Sequence, residues 1–349
     1  MMREYKNILV HNMVNLGDVV FSTACLATLK QAYPDAKISI VVRPKIADAL
    51  QNHPYIDEVI AYEYKSKSDR LSIFRFAKLL KSKNFDLSIS LDRKPRMALA
   101  TWIAGIPTRI GPNKVFTEAE WWRNLLNTQT IELPYELWMS QQYLIYQDII
   151  ARFARDKALN TNNKPFLAPA PEANSQNASR MLRYLGEGPY VALCVRAEFA
   201  LKNWLPERWA ELIQRMHNKY GCKMFVTGIS KDREYAQQII DLSGVDVANF
   251  CGQTEMLDLV ALYEQSTMIV TTDLGAAHVA AARNKPIASI FCCSSASRTK
   301  PIADISEAAY VELECRPCAV HKCEHRSCIN QLSVDMVMEK VDKVWNLIK

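Results

Sequence analysis

Three turns in this sequence carry polar residues that a strand-to-helix connection does not by itself require. The first is Gly17-Asp18, in "NLGDVV" directly after the apolar run "ILVHNMV". The second is "RAEFALKNWLPERW", where Lys202 precedes Trp204 and Pro206, and a proline so placed suits the first turn of a helix. The third is "TTDLGAAHVAAA", where Asp273, Gly275 and His278 surround a new helix start. Amides exposed at a helix N-terminus hold anions, and glycine lets a phosphate approach the backbone, so the set suits a ligand with a diphosphate. Each residue also has a plainer reading. Asp18 fits an N-cap, Lys202 a solvated loop lysine, His278 a satisfied buried histidine, and Asp273 a side chain that ties down its own turn. Recurrence at three successive strand ends is what joins them.

The elements that must position these turns alternate along the chain. "NILVHNMV", "KISIVV", "EVIAY" and "FDLSISL" are apolar strand-like runs separated by helical patterns, one of them near 70–83, and an amphipathic helix over about 138–158 closes this half. The Asn-, Pro-, Ala- and Ser-rich stretch "NTNNKPFLAPAPEANSQNAS" reads as a linker. A second alternation follows: "YVALCV", a helix from Pro206, "KMFVTG", a helix from about 231, "MIVTT", a helix from Gly275, and "PIASIF". Strands alternating with helices predict α/β architecture with parallel sheets. The expected arrangement is two Rossmann-like domains, 1–165 and 189–330, joined by a linker over 166–188, with ligands at the carboxyl ends of the strands in a cleft between the halves. A final helix over 331–349 presents Val334, Val337, Met338, Val341, Trp345 and Ile348 at helical spacing behind Ser333 as N-cap, a packing pattern with no chemical role.

With 349 residues, 49% apolar and 23% charged, the chain can fill two ordinary cores. No run approaches the roughly 18 apolar residues of a membrane span, and no cleavable signal opens the sequence, so the expected location is cytoplasmic. The net charge of +6 is too mild to argue for duplex nucleic acid. Cys25, Cys194 and Cys222 lie inside apolar patterns and read as reduced core residues.

Taken in order, "NILVHNMVNLGDVVFSTACLATLKQAYPDAKISIVV", "HPYIDEVI", "KNFDLSISLD", "RIG" at 109–111, "KNWLPERWAELI", "TDLGAAHVAAARNKP" and the tail from Cys315 make the chain similar to the bacterial lipopolysaccharide heptosyltransferases, glycosyltransferase family 9, over nearly its whole length. The resemblance implies a GT-B fold and transfer of a heptose from ADP-heptose to the inner core of lipopolysaccharide or lipooligosaccharide. By that resemblance Asp18 matches the catalytic base and Lys202 the lysine that reaches the donor's phosphates. Asp273, Gly275, Ala276 and His278 match the segment that cradles the diphosphate and nearby sugar. Asp232 falls near a ribose-binding acidic position, with Glu234 close by, and "GQTEML" with Thr254 and Met256 matches the strip that meets adenine. Two departures stand out. Leu274 replaces the usual Ser or Thr, and Cys292-Cys293 follow Phe291 where the family has Phe-Gly.

Sugar transfer from a nucleoside diphosphate needs a base for the acceptor hydroxyl and stabilisation of the leaving diphosphate. Many transferases hold a divalent metal with an Asp-x-Asp pair, and no two aspartates here are one residue apart. Lys202 and the Gly275 turn would replace the metal, so no cofactor is expected, and a base across the cleft in the other domain favours direct displacement with inversion at the anomeric carbon. The acceptor, a lipid-linked oligosaccharide bearing carboxylates and phosphates, wants cations. Beside Gly17 the candidates are Arg43 with Lys45; Lys65, Lys67 and Arg70; and Arg93, Lys94 and Arg96, each equally a solvated surface charge. "EWWRN", Trp121 and Trp122 beside Arg123, reads either as a contact with a membrane surface or as a buried patch, and the expected setting is the cytoplasm with peripheral contact at the cytoplasmic face of the inner membrane. In "CRPCAVHKCEHRSC", Cys315, Cys318, Cys323 and Cys328 with His321 and His325 form a candidate structural metal or disulfide cluster, against reduced thiols packing a loop. Two rival readings are another nucleotide-sugar enzyme, such as an epimerase, and a dinucleotide-dependent oxidoreductase. The second lacks a G-x-G-x-x-G loop at "NLGDVV".

Overall fold

The computed structural model describes residues 4–63, 71–91, 95–115, 118–119, 125–133, 164–318 and 323–348. The chain divides into two compact units, 1–168 and 169–349. Unit 1 runs β1 (Asn7–His11), α1 (Leu16–Ala32), β2 (Lys37–Val42), α2 (Pro44–Ala47), β3 (Glu58–Ala61), α3 (Ser72–Ser82), β4 (Leu87–Ser90), α4 (Pro95–Ile103), β5 (Thr108–Val115), β6 (Glu118–Ala119) and β7 (Gln129–Leu133). Its sheet has the order β3-β2-β1-β4-β5-β6, with β7 also on β5. All pairings are parallel except β5 with β6. Ile8, Leu9, Val10, Ile38, Ile40 and Val41 are buried, as expected of strands covered by helices on both faces. The helix expected over 138–158 and the "EWWRN" patch lie outside the described residues.

Unit 2 begins with α5 (Glu172–Arg183) and continues β8 (Tyr190–Cys194), α6 (Pro206–Tyr220), β9 (Lys223–Val226), α7 (Arg233–Ser243), β10 (Val247–Asn249), α8 (Met256–Gln265), β11 (Met268–Thr272), α9 (Gly275–Ala282), β12 (Ile287–Ile290), α10 (Ala296–Thr299), β13 (Ser306–Ala309), α11 (Ser327–Asn330) and α12 (Val334–Ile348). Its all-parallel sheet is ordered β10-β9-β8-β11-β12-β13. The stretch expected as linker therefore contains a helix. Its polar residues hide the signal: Ala178 and Leu182 are its buried pair, while Asn174 and Asn177 donate to Asp258 Oδ1 at 2.8 and 3.2 Å, docking α5 on α8. The last helix is as expected. Met336 N donates to Ser333 Oγ at 3.2 Å, and Val334, Val337, Met338, Val341 and Trp345 are buried in the core of unit 2, with Trp345 stacked on Tyr220.

Candidate functional site

Every expected donor-side residue follows the carboxyl end of a strand in unit 2. Lys202 follows β8, Asp232 β9, Thr254 and Met256 β10, and Asp273 through His278 β11. Parallel strands bring these ends to one edge of the sheet. The chain order reverses between β8 and β11, which are hydrogen-bonded neighbours. That reversal leaves a crevice where open α/β sheets take their ligands, and it places Lys202 and Asp273 side by side.

Lys202 ends a short 3-10 turn, Ala200–Lys202. Asn203 closes this loop by accepting from Ala197 N at 2.6 Å and donating to Ala197 O at 3.1 Å. The buried Thr272 hydroxyl donates to the Lys202 carbonyl at 2.6 Å, tying the loop after β8 to the end of β11. Lys202 Nζ then lies 2.6 Å from Asp273 Oδ2, with the carboxylate side chain 5% exposed and the lysine 30%. His278, buried one turn into α9, has its pKa lowered to about 4: burial dominates, Asp273 pulls it up and Lys202 pushes it down. At neutral pH the imidazole beside the Lys202–Asp273 pair is thus uncharged.

Gly275 and Ala276 form the first turn of α9 and are half-buried. Leu274 occupies the N-cap position in extended conformation and makes no side-chain cap. A Ser or Thr there would carry a hydroxyl at the helix end; leucine does not. After β12, Cys292 and Cys293 are buried, with thiols pushed up to about 12 and about 11 chiefly by desolvation, which disfavours the thiolate. Cys293 O accepts from Cys318 N at 2.9 Å, and this contact anchors the tail. Asp232 is buried and turned back on its own loop, accepting from Ile229 N at 3.0 Å and facing Arg196 at 3.7 Å, whereas Glu234 on α7 is exposed. Thr254 and Met256, at the start of α8, are half-buried.

In unit 1, Asp18 is half-buried in the first turn of α1, as its third residue. The N-cap position belongs to Asn15, whose side chain makes no cap, so Asp18 is not the N-cap that its sequence context also allowed. Gly17 is helical and buried, so what it contributes is the lack of a side chain rather than an unusual φ. Asn12, buried at the end of β1, donates from Nδ2 to the Asp18 carbonyl at 3.2 Å and braces this turn. Two acceptor-side arginines have internal partners. Arg43 Nε donates to Met13 O at 3.1 Å, and Arg96 Nη2 donates to Ser72 Oγ at 2.8 Å. Arg93, Lys94, Lys65, Lys67 and Arg70 lie outside the described residues.

Sequence reasoning missed Thr272, Asn203 and Asn12. Thr272 and Asn12 sit at or next to a strand's carboxyl end, where a buried hydroxyl or amide is the available signal, whereas Asn203 lies well beyond β8 in the loop that carries Lys202. It also gave no role to Arg208, whose guanidinium donates to the carbonyls of Ile329, Asn330 and Leu332 at 2.8, 2.7 and 2.5 Å. Cys315, Cys318, Cys323 and Cys328 are free thiols, and among the described residues no three His, Cys, Asp or Glu side chains are arranged to hold a metal. His321 is outside the described residues.

The sequence profile of glycosyltransferase family 9 (heptosyltransferase) matches residues 73–329. Lipopolysaccharide heptosyltransferase 2 of Escherichia coli (strain K12) is 28% identical over 303 residues, covering 82% of this chain and 83% of that protein. Lipooligosaccharide heptosyltransferase 2 of Haemophilus influenzae (strain ATCC 51907 / DSM 11121 / KW20 / Rd) is 25% identical, covering 85% and 86%. The solved E. coli ADP-heptose lipopolysaccharide heptosyltransferase II superposes with a TM-score of 0.77 at 22% identity, covering 98% of this chain and 99% of that one, and so shares the GT-B fold. With the profile spanning well over half of its residues, this chain belongs to glycosyltransferase family 9 and is a glycosyltransferase.

Proposed function

We propose that this chain transfers a heptose from ADP-heptose to the inner core of lipopolysaccharide or lipooligosaccharide, with inversion at the anomeric carbon. The observation that carries the reading is the Lys202–Asp273 pair beside the amino end of α9, at the chain reversal of unit 2. A diphosphate arriving there meets the Lys202 ammonium, held in place by Asp273, together with an uncapped helix terminus and a neutral imidazole. Both the fixed charge and the helix amides stabilise the negative charge that builds as the leaving group departs. Lys202 thereby does the work a divalent metal does elsewhere, and no catalytic metal is required. Asp18 takes the proton of the acceptor hydroxyl, and the first turn of α1, braced by Asn12, holds its carboxylate. Asp232 or Glu234, Thr254 and Met256 receive the nucleoside, while Gly17, Arg43, Arg93 and Arg96 belong to the acceptor side. The acceptor is lipid-linked, so the enzyme works at the cytoplasmic face of the inner membrane.

The test is a transfer assay with a nucleotide-sugar panel, with and without a truncated core acceptor, in the presence of a chelator. Product formation from ADP-heptose only when acceptor is present is the expected result, undiminished by chelation. Sugar release without acceptor would instead identify an epimerase-type activity. Asp18→Asn should keep its melting temperature and its affinity for donor while turnover falls roughly 10²–10⁴-fold, the usual range for losing a general base. A fully active Asp18→Asn enzyme would remove Asp18 from the mechanism.

A further inference from the structure

The described residues include no helix long and apolar enough to cross a membrane. If the acceptor is lipid-anchored, as the proposed function requires, the described part of the chain meets the bilayer from outside. The described surface holds a patch suited to that. The inner stripe of α3 (Ile73, Phe76, Ala77, Leu80) and the α4 residues Met97 and Ala100 enter one core with Leu9 and Val41. Both helices therefore lie on the same face of the sheet and turn their other sides outward together.

An amphipathic helix ordinarily presents polar groups on its outer side. Here Leu71, Phe74 and Leu79, at the start of α3 and along it, are 65%, 56% and 41% exposed, and Trp102 on α4 is 51% exposed. Single exposed hydrophobics are commonplace, but several on one helix pair form a patch. In unit 2 the large exposed hydrophobics Tyr184, Ile229, Leu242, Tyr310 and Leu347 fall one apiece on different elements or loops. Among the described residues of α3 and α4 the charges have one sign. Arg75, Lys78 and Lys81 are exposed among these residues, and neither 71–85 nor 95–117 contains an aspartate or glutamate.

We propose that the outer face of α3 and α4 docks this chain on an anionic phospholipid bilayer, with Phe74, Trp102 and their aliphatic neighbours entering the interface and Arg75, Lys78 and Lys81 meeting lipid phosphates. Interfacial helices bind through this pairing of apolar side chains, aromatic rings at headgroup depth, and surrounding cations. A second copy of the chain is disfavoured as the occupant, because a two-fold contact would set the same cations against one another.

Flotation of the full-length protein with vesicles of phosphatidylethanolamine and phosphatidylglycerol, against vesicles of phosphatidylcholine alone, tests the assignment. Binding should require the anionic lipid and weaken with salt. Each cation near such a surface is worth about five-fold in affinity, so Lys78→Glu/Lys81→Glu should bind at least about ten-fold more weakly. Phe74→Ser/Trp102→Ser should lose binding while both variants keep the wild-type melting temperature and turnover on a soluble, deacylated acceptor. A wild-type protein that leaves anionic vesicles unbound, variants that float like wild type, or a dimer in sedimentation velocity that these substitutions dissolve would each overturn the docking. Vesicle binding needs neither donor nor acceptor. Floating protein that transfers no heptose would thus refute the proposed activity alone, and a transferase that does not float would refute the docking alone.

Discussion

At the scale of single residues, the Lys202–Asp273 pair has two effects that a simple truncation would mix. The Asp273 side chain is 5% exposed, and removing one partner of a buried ion pair strands the other charge. Such losses run to roughly 3–5 kcal/mol when both groups are fully buried. The 30% exposure of Lys202 admits screening and puts the cost below that range. Lys202→Ala should therefore lower both the melting temperature and turnover, the latter by orders of magnitude because several kcal/mol of charge stabilisation is lost. The double variant Lys202→Ala/Asp273→Asn separates the two. It removes the stranded carboxylate, so stability returns toward wild type while turnover stays low. If the double variant recovered turnover together with its melting temperature, the lysine's role would be structural, and calorimetry with initial rates on the same preparations decides it.

At the scale of elements, the sheet's switch point is what brings distant residues together, and the connection that holds them was the least legible part. The strands were readable because "NILVHNMV", "YVALCV" and "MIVTT" are buried on both faces and so are nearly uninterrupted in their apolar character. By contrast, the three-residue β10 and the polar β13, "SEAA", offer no such run, and α5 is too polar to announce itself. Of the site, Lys202, Asp273 and His278 were legible as residue types beside turns. Their convergence was not, because it depends on β8 and β11 being neighbours, a pairing between segments more than 70 residues apart. Thr272 is the clearest omission. Its hydroxyl is buried and holds the Lys202 carbonyl, so Thr272→Val leaves that carbonyl unpaired at a cost of about 1–3 kcal/mol and frees the lysine loop. The expected outcome is a fall in turnover of roughly ten-fold or more, since small misplacements of a positioned charge are costly. Thr272→Ser should restore both rate and stability, whereas a purely packing role would leave serine no better than valine.

At the scale of the whole molecule, three buried histidines among the described residues make the fold sensitive to acid. Burial lowers His11 to about 3, His53 to about 4 and His278 to about 4, so all three are neutral in the folded chain at physiological pH. His11 is the most isolated, with neither ring nitrogen hydrogen-bonded. In the unfolded chain each histidine titrates near 6.5. Above that pH neither state binds the proton, and the full stability is present. As pH falls below 6.5 the unfolded chain takes up protons that the folded chain refuses, so stability drops by up to about 1.4 kcal/mol per pH unit for each histidine. The loss stops near pH 4 for His53 and His278 and near pH 3 for His11. Two of the three lie in unit 1 and one in unit 2. If the units unfold separately, the transition of unit 1 should shift more steeply between pH 7 and pH 5. Replacing His11 by Asn removes one titrating group and should flatten that slope by about one proton without altering it for unit 2. Denaturant titrations at pH 7, 6 and 5 give the proton uptake directly, and unfolding midpoints that do not move across this range would mean that the histidines are protonated, with partners, in the folded chain.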